Sequence, residues 1–137
     1  MEKTIAEKLG VSSGIRTFFL NEPMNFAKEV KMPDIDLQLK LSGKFDYIHF
    51  FVVSQNEFHE KFKILKEHLK LDGMLWVSWP KSGQNRTDLN IKTVIKIGYD
   101  YGLVESKSIS INSIWSALKF THPKEGKKYN NSYGKLA

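Results

Sequence analysis

The sequence contains no cysteine, and this absence excludes several kinds of site at once. Without a thiol, the chain forms no disulfide, binds no metal through thiolate and has no cysteine nucleophile. Long apolar runs are also missing, since no stretch approaches the roughly 18–20 residues of a membrane span. The first eight residues include two acids and no long apolar segment, which argues against a signal peptide. Together these absences favour a cytoplasmic protein without a membrane partner.

What the chain does contain fits one folded domain. It has 137 residues, of which 41% are hydrophobic, and nine are phenylalanine. The net charge is +6, and half of it lies in residues 122–137, which carry four lysines and one acid. We therefore expect a single α/β domain over residues 1–121 and a basic, flexible tail over residues 122–137. Tail lysines Lys124, Lys127 and Lys128 offer contacts to nucleic acid, although a solvated terminus explains the same composition.

Hydrophobic patterning predicts a sheet with helices above and below. Residues 47–53 and 74–79 are apolar on both faces, as in the central strands of a mostly parallel sheet. Residues 103–111 and 115–121 are two further strands, and the short link between them requires an antiparallel hairpin. The predicted strands are 15–20, 36–41, 47–53, 74–79, 103–111 and 115–121.

Helices are predicted between these strands. A short helix over residues 4–9 ends at Gly10, and another covers residues 24–30. Phe58, Phe62, Leu65 and Leu69 form one stripe of an amphipathic helix. A final helix starts at Thr87-Asp88, which serve as cap and first-turn acid, and ends at Gly102.

One connection conflicts with a parallel arrangement. A crossover between parallel strands normally takes a dozen or more residues. Only residues 42–46 separate the strand at 36–41 from the strand at 47–53. Residues 36–41 are therefore either a short edge strand with an extended return or a strand that is not parallel to the others.

Several stretches resemble class I S-adenosylmethionine-dependent methyltransferases. Residues 45–48 (Phe-Asp-Tyr-Ile) open a buried strand as the fourth strand of that family does. Residues 69–77 are similar to the helix end and fifth strand that follow. The resemblance covers residues 15–121 and implies a three-layer, Rossmann-like fold. It comprises a mostly parallel sheet of about six strands, an antiparallel terminal hairpin and helices on both faces.

A closer resemblance is to a small family of uncharacterised bacterial proteins, a domain of unknown function. The stretches that carry it are 43–46, 72–81, 87–89, 102–104 and 115–120. Because that family has no established activity, this resemblance implies a fold and not a reaction.

The resemblance also implies a place for a cofactor, in the turn that follows the first strand. Such turns are usually rich in glycine, which allows close approach of the backbone to the ligand. Here the turn is Asn21-Glu22-Pro23-Met24-Asn25, which contains no glycine. We therefore expect no cofactor, with S-adenosylmethionine as the one that the resemblance leaves open. Asn21 and Glu22 are its candidate contacts.

Other candidate ligand residues follow the next strands. Ser54, Trp79, Lys81 and Arg86 all lie at carboxyl ends of predicted parallel strands, where α/β sheets bind ligands. The loop at 79–86 offers a flat aromatic ring and two cations, although solvation alone explains its polar residues. His59 and His68 lie about 180° apart around a helix. His49 fits a hydrogen-bonded core position, so we expect no metal site.

These observations favour a non-catalytic binding or regulatory module on a methyltransferase-like fold. An atypical S-adenosylmethionine-dependent methyltransferase is the first alternative. A nucleic-acid-associated protein acting through the basic tail is the second.

Overall fold

The computed structural model describes residues 3–81 and 84–136. Within them, helices are interspersed among six strands. The helices are α1 (Ile5–Leu9), α2 (Phe26–Glu29), α3 (Gln55–Glu67) and α4 (Ile91–Asp100), with a 3-10 turn at Gln84–Arg86. The strands are β1 (Arg16–Leu20), β2 (Asp36–Gln38), β3 (Phe45–Phe51), β4 (Leu69–Pro80), β5 (Val104–Ser110) and β6 (Trp115–Thr121). Within the described ranges, two pairs of strands, β2–β3 and β5–β6, follow each other without a helix between them.

The strands form one sheet in the order β2-β1-β3-β4-β6-β5. The first four of these are parallel, whereas β6 is antiparallel to both β4 and β5. The predicted fold class, a mostly parallel six-stranded sheet with an antiparallel hairpin, is confirmed.

Two apolar cores lie on opposite faces of this sheet. One is shared with α3 and α4 and includes Phe50, Phe62 and Val94. The other is shared with α1 and α2 and includes Leu9, Phe26 and Trp76. Successive side chains of β3 and β4 alternate between the two cores, which explains why residues 47–51 and 74–79 are mostly apolar on both faces. The three-layer arrangement is therefore confirmed.

The uncertain strand is a short edge strand that runs parallel to β1. Only residues 36–38 of the predicted 36–41 are in β2, and they pair with residues 16–18. Because β2 has only three residues, the chain has only a short distance to travel back from its end to the start of β3. The six residues 39–44 can span about 20 Å, which is enough to cross β1. A crossover helix is therefore unnecessary at this point.

Several predicted boundaries are wrong. Helix α3 ends at Glu67 and β4 begins at Leu69 rather than at Met74, so Leu69 belongs to the strand and not to the helical stripe. The pairing of β4 with β3 shifts register around the predicted turn at Asp72-Gly73. Helix α4 is capped by Asn90, whose side chain accepts a hydrogen bond from the Thr93 N–H, and not by Thr87-Asp88. Asparagine is as good a helix N-cap as threonine or aspartate, so the local sequence alone did not show which of these residues caps α4.

The basic C-terminal segment lies against α4 and β5. Tyr129 packs on the core beneath α4, and the Asn131 amide donates to the Glu105 carboxylate at 2.7 Å. Gly134 lies so close to Tyr99 that an added Cβ would come within 2.9 Å of its side chain. The flexibility of residues 122–137 stays a prediction. Across the two described ranges, no helix has the length and apolarity that crossing a bilayer requires.

Candidate functional site at the carboxyl edge of the sheet

The strand order creates a crevice between β1 and β3. From β1 the chain passes to β2 on one side, and it then crosses back to β3 on the other side. Open α/β sheets bind ligands at such a reversal, outside the carboxyl ends of the strands. The residues that follow β1 and β3 are therefore the first candidates for ligand contacts.

The turn after β1 obtains its shape from asparagine instead of glycine. Asn21 and Asn25 both have left-handed backbones, with φ of 62° and 63°. Among residues with a side chain, asparagine and aspartate enter this region most readily, because their short polar groups bond locally. The lack of glycine thus does not prevent a tight turn. The asparagines do, however, place side chains where glycines would leave open space.

The Asn21 side chain spans the crevice. Its amide donates to the Phe51 carbonyl at 3.3 Å and to the Glu57 carboxylate at 3.1 Å. Glu22, the next residue, is exposed. The Asn21 side chain therefore bridges the end of β3 and the first turn of α3, with the Glu57 carboxylate as one of its partners.

Ser54 caps helix α3. Its hydroxyl accepts the Glu57 N–H at 3.2 Å. The run Ser54-Gln55-Asn56-Glu57 has the spacing of a capping box, in which the glutamate would bond back to Ser54. The Glu57 side chain bonds to Asn21 instead. The sequence analysis missed Glu57 as a site residue, and the serine–glutamate spacing was the signal that marked it.

A shallow depression of about 700 Å³ lies beside the turn after β1. Its walls are mostly apolar and include Phe19, Phe26, Leu37 and Met24, whose surface is 86% exposed. Glu22 lies at the same depression. This part of the edge therefore combines apolar walls with a carboxylate.

A second hollow lies at the end of β4, on the sheet face that α4 covers. We call it the hairpin groove; it has a volume of about 750 Å³. Trp79 and Lys81 both line it, and the Lys81 amine donates to the Ser110 hydroxyl at 2.6 Å. The structure therefore brings these two predicted residues together. Ser54 and Arg86 line neither hollow, and residues 82 and 83 of the predicted loop lie outside the described residues.

Thr87 and Asp88 hold one wall of the hairpin groove. The Thr87 hydroxyl donates to the Val53 carbonyl at 2.6 Å. The Asp88 carboxylate accepts the Gln55 N–H at 2.9 Å, and the Gln55 side-chain amide donates to the Asp88 carbonyl. This pair therefore ties the loop before α4 to the end of β3 and the start of α3.

The sequence analysis missed three serines at the hairpin groove. Ser108, Ser110 and Ser116 all line it. The signal was the serine at every second position of residues 106–110, since such alternation places residues on one face of a strand. Without the position of α4, that pattern resembles an ordinary solvated edge strand.

The buried histidine of β3 is a structural residue. His49 is fully buried, and its ring nitrogens lie 2.6 Å from the Tyr47 hydroxyl and 2.6 Å from the Ser78 hydroxyl. Burial lowers the pKa of His49 to about 3, so the ring is neutral. A neutral imidazole donates at one nitrogen and accepts at the other, which satisfies all three side chains. The predicted core role is confirmed.

Among residues 3–81 and 84–136, no group of three or more histidine or acidic side chains is placed to hold a metal ion. The tail lysines Lys127 and Lys128 lie at a surface hollow of about 650 Å³ formed by the tail itself. This hollow includes Tyr129, whose ring lies 5.2 Å from the Lys127 amine.

Comparison with solved structures identifies relatives of this fold. A ribosomal protein L11 methylase from Lactobacillus delbrueckii subsp. bulgaricus matches with a TM-score of 0.55 at 14% identity, over 88% of this chain and 76% of that one. A magnesium protoporphyrin IX methyltransferase from Synechocystis, solved with bound SAH, matches with a TM-score of 0.54 at 14% identity, over 87% and 78%. A SAM-dependent methyltransferase from Aquifex aeolicus matches at 0.52 and 10% identity, over 85% and 86%.

This chain has a methyltransferase-like Rossmann fold. In sequence, no protein-family model and no protein of curated function matches it. The resemblance to a domain of unknown function therefore stays a prediction, whereas the methyltransferase-like architecture is confirmed.

Proposed function

We propose that this protein is an atypical S-adenosylmethionine-dependent methyltransferase whose cofactor binds at the carboxyl ends of β1 and β3. The observation that supports this most is the strand order, because it puts the chain reversal beside Asn21 and Glu22. Similar solved structures include a methyltransferase with bound SAH, which makes an adenosyl compound the first ligand to test.

The residues at this edge suit parts of such a cofactor. Carboxylates of Glu22 and Glu57 provide acceptors for ribose hydroxyls or an ammonium group. The apolar depression lined by Phe19, Met24 and Leu37 suits an adenine ring. When bound, S-adenosylmethionine supplies a methyl group activated by a sulfonium. The residues named here bind and orient it.

A non-catalytic binding module is the second candidate, and two observations favour it. The Asn21 side chain occupies the crevice through its bonds to β3 and α3. No acid follows β2, where the chain reads Leu39-Lys40-Leu41, although methyltransferases tend to hold the ribose with an acid there. A module of this kind would bind a ligand at the same edge without turnover.

Calorimetric titration with S-adenosylmethionine and S-adenosylhomocysteine tests the proposal. We expect saturable binding in the micromolar range, weakened at least tenfold by Glu22→Gln. Loss of one charge-assisted hydrogen bond accounts for about that factor. Glu60→Gln is the matched control, because Glu60 is exposed on α3 and lines neither hollow.

Turnover separates the two candidates. The protein is incubated with S-adenosylmethionine and a small-molecule extract, and S-adenosylhomocysteine is measured by mass spectrometry. Product that depends on both protein and extract supports the methyltransferase. Binding without product supports the non-catalytic module, and absence of binding to either compound contradicts the cofactor site itself.

A further inference from the structure

We propose that the hairpin groove is a second binding site, which takes a small molecule through an oxyanion, either a phosphate or a carboxylate group. This site is separate from the cofactor edge, and neither proposal depends on the other. Three features support this site: the position at which α4 begins, the charges in the groove and the hydroxyl groups that line it.

The groove exists because α4 begins too late to cover the whole hairpin. Trp79, Ser116 and Ser110 are register partners and form one row across β4, β6 and β5. Farther along the same face of β6, Phe120 is covered by α4 at Gly98. The helix starts at Ile91, so the row that contains the serines lies past the N-terminal end of α4 and is not covered by it. On this face, the loop over residues 87–90 and the first residue of α4, Ile91, border that row.

Lys81 is the cation of the groove. Its amine donates to the Ser110 hydroxyl, which is a neutral partner. In the part of the chain that the structure describes, no carboxylate lies within ion-pair distance of Lys81. Two of the three ammonium donors therefore stay available for a ligand.

Among the described residues, Asp88 is the one acidic residue that lines the groove. Its carboxylate already accepts the Gln55 N–H at 2.9 Å, which directs one oxygen toward the start of α3. The hydroxyls of Ser108 and Ser116 and the amide of Asn90 add uncharged donors, whereas the Ser110 hydroxyl already donates to a backbone carbonyl at 3.2 Å. The donors of the groove outnumber its anionic acceptors, and this balance favours an anionic group.

The size and walls of the groove suit a metabolite rather than a bare ion. Its volume of about 750 Å³ lies within the range of roughly 300–1,000 Å³ that is typical of small-molecule sites. Trp79, Leu89 and Ile91 provide apolar surface for a carbon skeleton. The oxyanion would bind at Lys81, and the carbon skeleton would lie along these side chains.

Titration of ¹⁵N-labelled protein with inorganic phosphate and, separately, acetate tests this site at constant ionic strength. We expect saturable shifts of the backbone amides of Ser108, Ser110 and Ser116 with a Kd below about 20 mM for at least one probe. Tighter binding of phosphate indicates a phosphate-bearing ligand, and tighter binding of acetate indicates a carboxylate. Both outcomes support the site.

Two variants and one control make the test specific. Lys81→Gln removes the positive charge of the groove, and Ser116→Leu fills the groove with a larger side chain. Each variant should weaken binding at least tenfold while its amide spectrum still shows a folded protein. Lys63→Gln changes the same charge on α3, away from the groove, and should bind within twofold of the parent. Non-saturating shifts with both probes would overturn the proposal. Equal affinity in Lys81→Gln and the parent would do the same.

Discussion

His49 shows how a single buried residue makes stability depend on pH. The folded protein keeps its ring neutral because burial lowers the pKa of His49 to about 3, whereas the usual value is 6.5. Between those two values the unfolded chain binds one proton more than the folded protein does. The free energy of unfolding therefore falls as the pH decreases from 6.5 toward 3.

Because of this ring, we expect the free energy of unfolding to be about 2 kcal/mol lower at pH 5 than at pH 7. Urea unfolding at both pH values measures it. In His49→Gln the protein should be less stable at pH 7, because Tyr47 and Ser78 lose their shared partner, but this part of the pH dependence should disappear. His59→Gln, at an exposed position on α3, should keep it. An unchanged pH dependence in His49→Gln would contradict the assignment.

Residue chemistry also limits what the sequence alone could predict about the turn after β1. The lack of glycine there was visible, but the left-handed backbones of Asn21 and Asn25 were not. Asparagine can adopt either a right-handed or a left-handed backbone conformation, and the tertiary structure selects between the two. The prediction of no cofactor rested on this turn and on the missing acid after β2, and it is not confirmed.

At the level of elements, α4 packs unusually close to the sheet. A Cβ built on Gly98 lies 2.0 Å from Cε1 of Phe120, far inside van der Waals contact. Phe120 is fully buried and contacts Phe62 of α3 edge-on, so it has little room to move. Gly98 therefore sets the distance between α4 and β6.

We expect Gly98→Ala to destabilise the protein by about 1–3 kcal/mol. Alanine favours a helix over glycine by about 1 kcal/mol, but the clash with Phe120 outweighs that gain. Lys63→Ala, at an exposed position of α3, should change stability by less than about 0.5 kcal/mol. Thermal or urea unfolding compares the two. A Gly98→Ala protein as stable as the parent would show that the helix can shift outward.

Elements also show where sequence patterns succeed. The apolar runs of β3 and β4 identified the centre of the sheet, because burial on both faces leaves no alternation. The cap of α4 was misplaced because Thr87, Asp88 and Asn90 are all good caps. Contacts of Thr87 and Asp88 with β3 and α3 decide the matter, and those partners lie more than thirty positions away in the chain.

For the whole molecule, the uneven charge is the feature that bears on partners. The tail carries four lysines against one acid, and its residues lie against α4 and β5. Binding to nucleic acid through this segment stays a prediction, with phosphate contacts by Lys124, Lys127 and Lys128 as its physical basis.

If the tail binds nucleic acid, affinity should fall steeply with salt, by about one unit of log–log slope per phosphate contact. Deletion of the residues after Pro123 removes these three lysines and Lys135, so we expect it to reduce that slope by about three to four. Fluorescence anisotropy with a short labelled duplex measures both. Lys63→Gln, which removes one positive charge from the body of the protein, is the control for surface charge. A slope near zero in the full chain would exclude this partner.

The sequence by itself determined the α/β class, the two central strands, the closing hairpin and the core position of His49. Those features depend on local hydrophobic period and on short links, which the chain order contains directly. Only the tertiary structure decided the direction of β2, the bond from Asn21 to Glu57 and the row of Trp79, Ser116 and Ser110 past the N-terminal end of α4. These features depend on which distant segments meet, because a site is formed by neighbours in space.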